Sequence, residues 1–419
     1  MYISIRDKPA SDGAGGPRGQ RPRIAATVFL LGTVSLLTDV SSEMVAAVLP
    51  LYLTAELGLS LIAYGVVDGL YQGVSALVRI FGGYLNDRTN RPKWIAVAGY
   101  GVSALSRIAL ISAQGFVAIT AVVTADRLGK GFRTAPRDAL IADVSEPGVL
   151  GRAFGVHRMM DTVGAALGPL AAFGLLLLVP GDYNSVFVAS FAFGIIGVAV
   201  LVLFVPDRRT AGGGPGLPLR KLFGELTSPR LRRPLLAVGV LGLLTVGDGF
   251  LYLSLQHRDD FAARWFPLMY VGTNLVYLLL AIPVGRLADR VGRARVFIGG
   301  HVALLAVYLV AAVPSGGLAL TLLALGLLGC YYAATDGVLP ALISPRVPAA
   351  ARGSGIAAAQ TVVVLARFAM SLMFAVLWQF MGPSAALYLA AALLVAGIVV
   401  SARLLRGVDQ AEPVREATS

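Results

Sequence analysis

The sequence contains one cysteine, Cys330, among 419 residues, which excludes an intrachain disulfide and a cysteine-based zinc site. It has only three histidines, His157, His257 and His301, none at metal-ligand spacing from another. No nucleophile–base pair is recognisable, so neither catalysis, nor a bound metal, nor a cofactor is expected. Charged residues are also scarce, at 14%. Soluble domains carry about a quarter, so this scarcity argues against a soluble fold. Acids are the scarcer sign, 23 against 35 Lys and Arg, which gives a net charge of +12.

Apolar residues are abundant instead: 57% of the chain is hydrophobic and mean hydropathy is +0.76. Apolar runs of spanning length recur near residues 24–53, 60–85, 94–113, 116–136, 152–179, 183–205, 233–256, 265–286, 294–313, 318–341, 351–381 and 384–405. Backbone groups in lipid find no water, so each run must be helical. The charge follows these spans. Only Arg258 and Arg264 of the 35 cations fall in alternate, outer connections, and six lie within spans more than three residues from either end (Arg79, Arg107, Arg127, Lys130, Arg158, Arg367). The other 27 occupy the tails, the inner connections and the inner ends of spans, which places both termini in the cytoplasm of a plasma-membrane protein. The basic balance therefore implies a lipid bilayer and no nucleic acid. Trp94, Trp265 and Trp378 fall near span ends, where interfacial anchors belong.

Residues 1–23 are polar and Gly/Pro-rich without a signal-peptide core, and read as a disordered cytoplasmic tail. Residues 206–232 form the longest polar interruption, a flexible basic linker between six spans and six. The expected division is 24–205 and 233–405 as two helical bundles, with 406–419 a second cytoplasmic tail.

One stretch occurs twice. Gly83-Tyr84-Leu85-Asn86-Asp87-Arg88-Thr89-Asn90-Arg91 is echoed by Gly285-Arg286-Leu287-Ala288-Asp289-Arg290-Val291-Gly292-Arg293, an offset of 202 residues. Both read Gly-x-Leu-x-Asp-Arg-x-x-Arg between apolar runs. A weaker echo pairs Ala139-Leu140-Ile141, Arg152 and Gly155 with Ala341-Leu342-Ile343, Arg352 and Gly355. On these residues the chain resembles the major facilitator superfamily. The resemblance implies an all-α integral membrane protein of twelve transmembrane helices, arranged as two pseudo-symmetric six-helix bundles around a cavity. It also implies that the paired loops are a conformational latch. Gly83 and Gly285 would allow close helix approach, Asp87 and Asp289 would accept from helix N–H groups, and Arg88, Arg91, Arg290 and Arg293 would bridge to acids or helix C-termini on the other bundle. A plain topology-setting role for these charges is compatible with that reading.

The spans hold seven acids: Asp39, Glu43, Asp68, Asp126, Asp161, Asp248 and Asp336. A charge near the bilayer centre costs on the order of 3 kcal/mol, so these groups should face water or one another. Asp39 and Glu43 lie four apart on one helix face. Asp248, in Leu244-Thr245-Val246-Gly247-Asp248, echoes Leu37-Thr38-Asp39. Asp39 is the leading candidate for exchanging a proton or cation, against a permanent ion pair with Arg127 or Arg107. Asp126-Arg127-Leu128-Gly129-Lys130-Gly131 resembles the family's Arg-x-x-Gln-Gly pattern, which implies proton handling by Arg127. Lys130 replaces the Gln and makes the wall more cationic, unless Asp126 neutralises it within the helix. Gly129-Lys130 is not part of a phosphate-binding loop, and no other nucleotide pattern appears, so an ion gradient is the expected energy source.

In the fifth span, Gly155, Gly164, Gly168 and Pro169 match Gly-x8-Gly-x3-Gly-Pro and resemble the motif of drug/proton antiporters. Ala172-Phe173 stands where that motif has its trailing glycines. His157 and Asp161 lie one turn apart on the same helix, as a proton shuttle or an interfacial ion pair. The stretches 37–44 and 133–141 are similar to a prokaryotic branch assigned to efflux of drugs or other small molecules. The leading reading is a monomeric, proton-coupled exporter of small molecules. The alternatives are a symporter importing a metabolite, a carrier of an anionic or metal-chelate substrate such as a siderophore, and a non-transporting receptor. Tyr52, Tyr71, Tyr252, Tyr270, Tyr331 and Tyr332 could stack a substrate or pack between helices.

Overall fold

The computed structural model describes residues 24–89, 91–145, 149–207, 229–346 and 352–407. The expected tail at 1–23, most of the linker at 206–232 and most of the tail at 406–419 lie outside the described residues. So do the side chains at Asp87 and Arg88.

Thirteen α-helices occur among the described residues. They are α1 (Ala26–Leu51), α2 (Leu61–Thr89), α3 (Pro92–Ser112), α4 (Gly115–Val144), α5 (Leu150–Leu178), α6 (Tyr183–Phe204), α7 (Pro229–Gly242), α8 (Asp248–Asp259), α9 (Pro267–Val291), α10 (Arg293–Ala312), α11 (Leu318–Thr335), α12 (Val338–Ile343) and α13 (Arg352–Leu404). Eight helical stretches are long and apolar enough to cross a membrane by length and composition alone. The crossings number twelve once α13 is counted as two, α2 and α4 are added as the second and fourth, and α7 with α8 as a divided seventh. α13 runs 53 residues, which at 1.5 Å per residue far exceeds a hydrocarbon layer of about 30 Å. It turns at Gly382, whose φ of 80° suits glycine, just before Pro383, which has no N–H to continue the helix.

The seventh span, expected unbroken over 233–256, is two helices. Residues 243–247 are unwound, and Gly247 is extended. Unwound backbone away from water needs partners, and one phenol supplies two of them. Tyr308 of α10 accepts from the Val246 N–H at 2.7 Å and donates to the Leu244 carbonyl at 2.9 Å. Tyr308 is fully buried, so water cannot substitute for it. Tyr308→Phe should lower stability by about 1–3 kcal/mol, the cost of a stranded buried polar group. The check is the thermal midpoint of the purified protein; an unchanged midpoint would show that the break does not depend on this clasp.

The tenth span is divided too. α11 ends at Thr335, Asp336 and Gly337 form a turn, and the short α12 follows.

By its contacts the chain forms two compact units, residues 1–49 with 74–214 and residues 50–73 with 215–419. The dividing line thus runs through α2 rather than through the polar linker alone. In the first unit α3 packs along α4 and α6; in the second α10 packs along α11 and α13. Third-with-fourth span contacts therefore recur as ninth-with-tenth, and the packing of α6 on α3 has its counterpart in that of α13 on α10, in keeping with the repeated loop. One core of the first unit gathers Val28, Leu31 and Val34 of α1 with Tyr100 of α3, Leu140 and Ile141 of α4, and Leu201 of α6.

Candidate functional site

Three helix faces in the first unit carry the polar side chains. Ser35, Asp39 and Glu43 recur every four residues along α1. Asp126, Lys130, Arg133 and Arg137 follow the 3.6-residue period along α4, and His157 and Asp161 lie one turn apart on α5.

Asp126 is the most firmly held. It takes hydrogen-bonded ion pairs from both Arg107 of α3 and Arg127, and all three side chains are under 10% exposed. Arg107 also donates to the Ser103 carbonyl at 2.8 Å and to Ser42 Oγ of α1 at 2.9 Å. This knot ties α1, α3 and α4 together. It corrects two sequence expectations. Asp126 takes its ion pairs from Arg107 and Arg127 rather than from Lys130, and the ion pair of Asp39 is with Arg133 rather than with Arg107.

The partner of Asp39 is Arg133, at 3.6 Å. That distance is an ion pair without a hydrogen bond. Arg133 is fixed, 4% exposed and stacked 4.5 Å over the Tyr100 ring, whereas the Asp39 side chain is 20% exposed. Glu43 makes no hydrogen bond or ion pair among the described residues, yet it and Asp39 both lie in the field of the Lys130 ammonium. Lower on the same faces, Arg137 holds Asp138 at 2.9 Å and reaches Asp161 at 3.8 Å and Ser35 Oγ at 3.2 Å. His157 Nε2 lies 3.4 Å from Ser35 Oγ and 3.7 Å from Asp161.

Gly164 and Gly168 set how closely α5 approaches this site. A Cβ at Gly164 would lie 2.4 Å from the Leu36 carbonyl oxygen, and one at Gly168 would lie 2.7 Å from the Glu43 Cβ. Any side chain would push α5 away from the acidic face of α1. Pro169 is buried in the same turn. Gly155 is exposed and a Cβ there would touch nothing, so the motif's first glycine does not serve packing.

Of the first loop copy, Gly83, Asp87 and Arg88 fall on the last turns of α2, beyond the described side chains, and Arg91 is exposed. The second copy is fully visible. Gly292 has φ of 109°, the turn conformation that joins α9 to α10. Arg293 donates to the Ala341 carbonyl of α12 at 2.8 Å and to Asp289 at 3.2 Å, so it meets a helix C-terminus within its own unit. Arg290 is exposed, and a Cβ at Gly285 would meet nothing within 4 Å, so close helix approach is not what Gly285 provides.

The second unit has its own polar cluster. Asp248 opens α8 just after the unwound stretch and accepts from Tyr332 at 2.6 and 2.7 Å. Asp68 accepts from Ser371 Oγ at 2.6 Å. Arg367 donates to Tyr331 Oη at 2.6 Å, and Asp336 is exposed at the end of α11. Tyr252 donates to Thr273 Oγ1 at 2.9 Å and, like Tyr331, is almost wholly buried; for these two the packing reading holds.

Outside the spans, Asp182 caps α6; the Ser185 hydroxyl donates to its carboxylate, as do the Ser185 and Asn184 N–H groups, and together they hold its carboxyl below the usual range. Asp259 is drawn down to about 2 by hydrogen bonds from Arg258, Thr321 and the Gly317 N–H, a clamp between α8 and the α10–α11 connection.

Ser35, Arg107, Arg133, Arg137, Arg367, Tyr308 and Ser371 were not singled out as site residues from the sequence. Arg133 and Arg137 continue the period set by Asp126 and Lys130, a signal that was present. Ser371 and Tyr308 left none, since hydroxyls are common on both helices.

The Major Facilitator Superfamily profile matches residues 31–272, more than half of the chain. An uncharacterized MFS-type transporter of Methanocaldococcus jannaschii is 28% identical over 389 residues, covering 90% of this chain and 94% of that protein. Multidrug resistance protein MdtH of Photorhabdus laumondii is 29% identical over 179 residues, 42% of this chain and 43% of MdtH. Among solved structures, nucleoside transporter NupG superposes with a TM-score of 0.77 at 14% identity, covering 91% of this chain and 100% of NupG. Peptide transporter POT in complex with sulfate gives 0.76 at 17% identity, covering 92% and 96%. Taken with the repeated loop, the twelve spans and the buried polar faces, these likenesses make the chain a member of the major facilitator superfamily, a multi-pass membrane transporter of small molecules.

Proposed function

We propose that the chain is a proton-coupled exporter of small molecules in the plasma membrane, working as a monomer by alternating access. The carrying observation is the contrast between two buried acids of the first unit. Asp126 is locked by two guanidiniums, whereas Asp39 is partly exposed and meets Arg133 only at 3.6 Å. A carboxylate that can leave its partner at little cost can bind and release a proton; a doubly paired one cannot. Glu43, Lys130 and Asp161 surround Asp39 as the charges whose balance a substrate or proton would change. The fit of Gly164 and Gly168 against the acidic face of α1 supports the antiporter reading of the fifth-helix motif, as does the partial likeness to MdtH. The loops around Asp87 and Asp289 serve as latches that bias the conformational equilibrium rather than the binding site.

Profiling drugs and metabolites in a strain lacking the protein against one overexpressing it tests the function. Consistent resistance and lowered accumulation of a compound are expected; a growth requirement for one nutrient, met only when the protein is present, would overturn export. Orientation is tested separately. In a Cys330→Ala background, a membrane-impermeant thiol reagent added outside should label Ser315→Cys and not Gly213→Cys, because the cation distribution puts residues 206–232 inside. The reverse pattern would invert the topology.

A further inference from the structure

The two units differ in how their buried charges balance. In the first, Arg107, Arg127, Lys130, Arg133 and Arg137 face Asp39, Glu43, Asp126, Asp138 and Asp161, so each carboxylate of this cluster has a cation nearby among the described residues. In the second, Asp68 and Asp248 are held by neutral hydroxyls, those of Ser371 and Tyr332. One cation faces them, Arg367, and it makes no ion pair within 4 Å among the described residues. The other facing groups are a third acid, Asp336, and the phenols Tyr64, Tyr252, Tyr270, Tyr308 and Tyr332, which stay neutral near pH 7. Asp336 is exposed and screened by solvent, so within the buried cluster two carboxylates stand against one guanidinium and a negative charge is uncompensated. That costs on the order of 3 kcal/mol at membrane depth, and a single bound proton removes it.

A small cavity lies beside this cluster. It measures about 30 Å³ and is lined by Thr245, His301, Tyr331, Thr335, Asp336 and Arg367. The rest of its wall is apolar, but a cavity of that size with imidazole, guanidinium, carboxyl and hydroxyl groups on its lining holds a water molecule and excludes an organic substrate. Two of its lining side chains carry a nitrogen without a partner among the described residues. Arg367 Nε is buried and unpaired. His301 is 2% exposed and spends Nδ1 on the Phe297 carbonyl at 2.9 Å, which leaves Nε2 as the acceptor. One donor and one acceptor on the same small cavity are what a relay water requires. Asp336, exposed at its edge, is the solvent end.

We infer that the Asp68–Asp248 pair is a second proton site, sharing one proton between two carboxylates, and that the cavity bounded by His301, Arg367 and Asp336 is its water-filled entry. On uptake a water-borne proton leaves its oxygen and forms an O–H bond on one carboxylate, with no other bond changed. The inference deepens the proton-coupled reading and rests on it for its role in transport, but the site itself can be tested without any substrate.

The test is an infrared pH titration of the purified full-length protein in lipid, following the carbonyl band of protonated carboxyl groups. Wild type, and an Asp39→Asn background that removes the first-unit site and in which the other variants are read, should show a band that titrates near neutral pH. Asp68→Asn or Asp248→Asn should abolish it, because either leaves one carboxylate balanced by Arg367, while Asp39→Asn should leave it in place. Tyr332→Phe and Ser371→Ala are conservative variants that each remove a donor to the ionised form. Each should raise the midpoint by about one pH unit. His301→Leu, which removes the acceptor from the cavity, should slow protonation after a pH jump about tenfold. A neutral-pH band untouched by both Asp variants, its absence from wild type, or a midpoint unmoved in Tyr332→Phe and Ser371→Ala would overturn the inference. A band lost only in Asp39→Asn would also overturn it while supporting the first-unit site. If the band behaves as expected but transport moves no protons, the coupled-export reading fails and the site stands.

Discussion

Asp39→Asn should abolish export driven by a pH gradient, by at least about a hundredfold, while substrate exchange across vesicles with no imposed gradient stays within a few-fold of wild type. The split follows from what the substitution changes. Asparagine keeps the size of the side chain and can still face Arg133, but it cannot take up and release a proton. The transport cycle loses its coupling step and keeps its binding and conformational steps. Glu43→Gln should be milder, because Glu43 has no ion-pair partner to exchange among the described residues. Proteoliposomes enclosing a pH-sensitive dye, supplied with a compound found by resistance profiling, separate proton movement from substrate movement. Should the Asn variant move protons and substrate at the wild-type ratio, Asp39 is a structural partner of Arg133, and coupling passes to the acids of the second unit.

Asp126→Ala should have the largest effect on stability. Removing this carboxylate takes the ion pair with Asp126 from both Arg107 and Arg127, in an interior where neither side chain is more than 3% exposed. Breaking one side of a buried ion pair costs about 3–5 kcal/mol, a large share of the 5–15 kcal/mol that typically separates folded from unfolded protein. The expected result is a collapse in monodisperse yield from detergent extracts and a large fall in thermal midpoint. Asp126→Asn with Arg107→Met should recover much of the loss, since the amide still accepts from Arg127 and one stranded charge is gone. If Asp126→Ala is as stable as wild type, Ser42 and the Ser103 carbonyl suffice to hold Arg107, and Asp126 is not what fastens α4 to α3.

The span pattern and the internal repeat were legible because both rest on local signals: unbroken apolar length and a nine-residue motif repeated at half-chain spacing. The turn at Gly382-Pro383 was equally plain, since glycine and proline punctuate the chain where one crossing ends. The choice of ionic partners was not. Asp126 and Lys130 satisfy the i, i+4 rule, and sequence spacing alone favours their pairing. A guanidinium from the neighbouring α3 offers Asp126 a better-directed bond, and interhelical distance is invisible in sequence. The break at 243–247 was hidden for a related reason. No proline marks it, its flanking Gly242 and Gly247 are two of 49 glycines, and its stabilising phenol stands more than sixty residues away.

That break also changes the mechanics of the crossing. A continuous helix is a stiff rod, and a tilt imposed at one end must appear at the other. Two rods joined by five unwound residues and one phenol clasp form a compliant joint, so the torque on α8 need not reach α7. Asp248 sits on the first turn beyond that joint, within hydrogen-bonding reach of α11. The half of the span that carries the carboxylate can therefore reorient while the other half stays seated, and the amide protons of residues 243–247 are where such bending would register as fast solvent exchange.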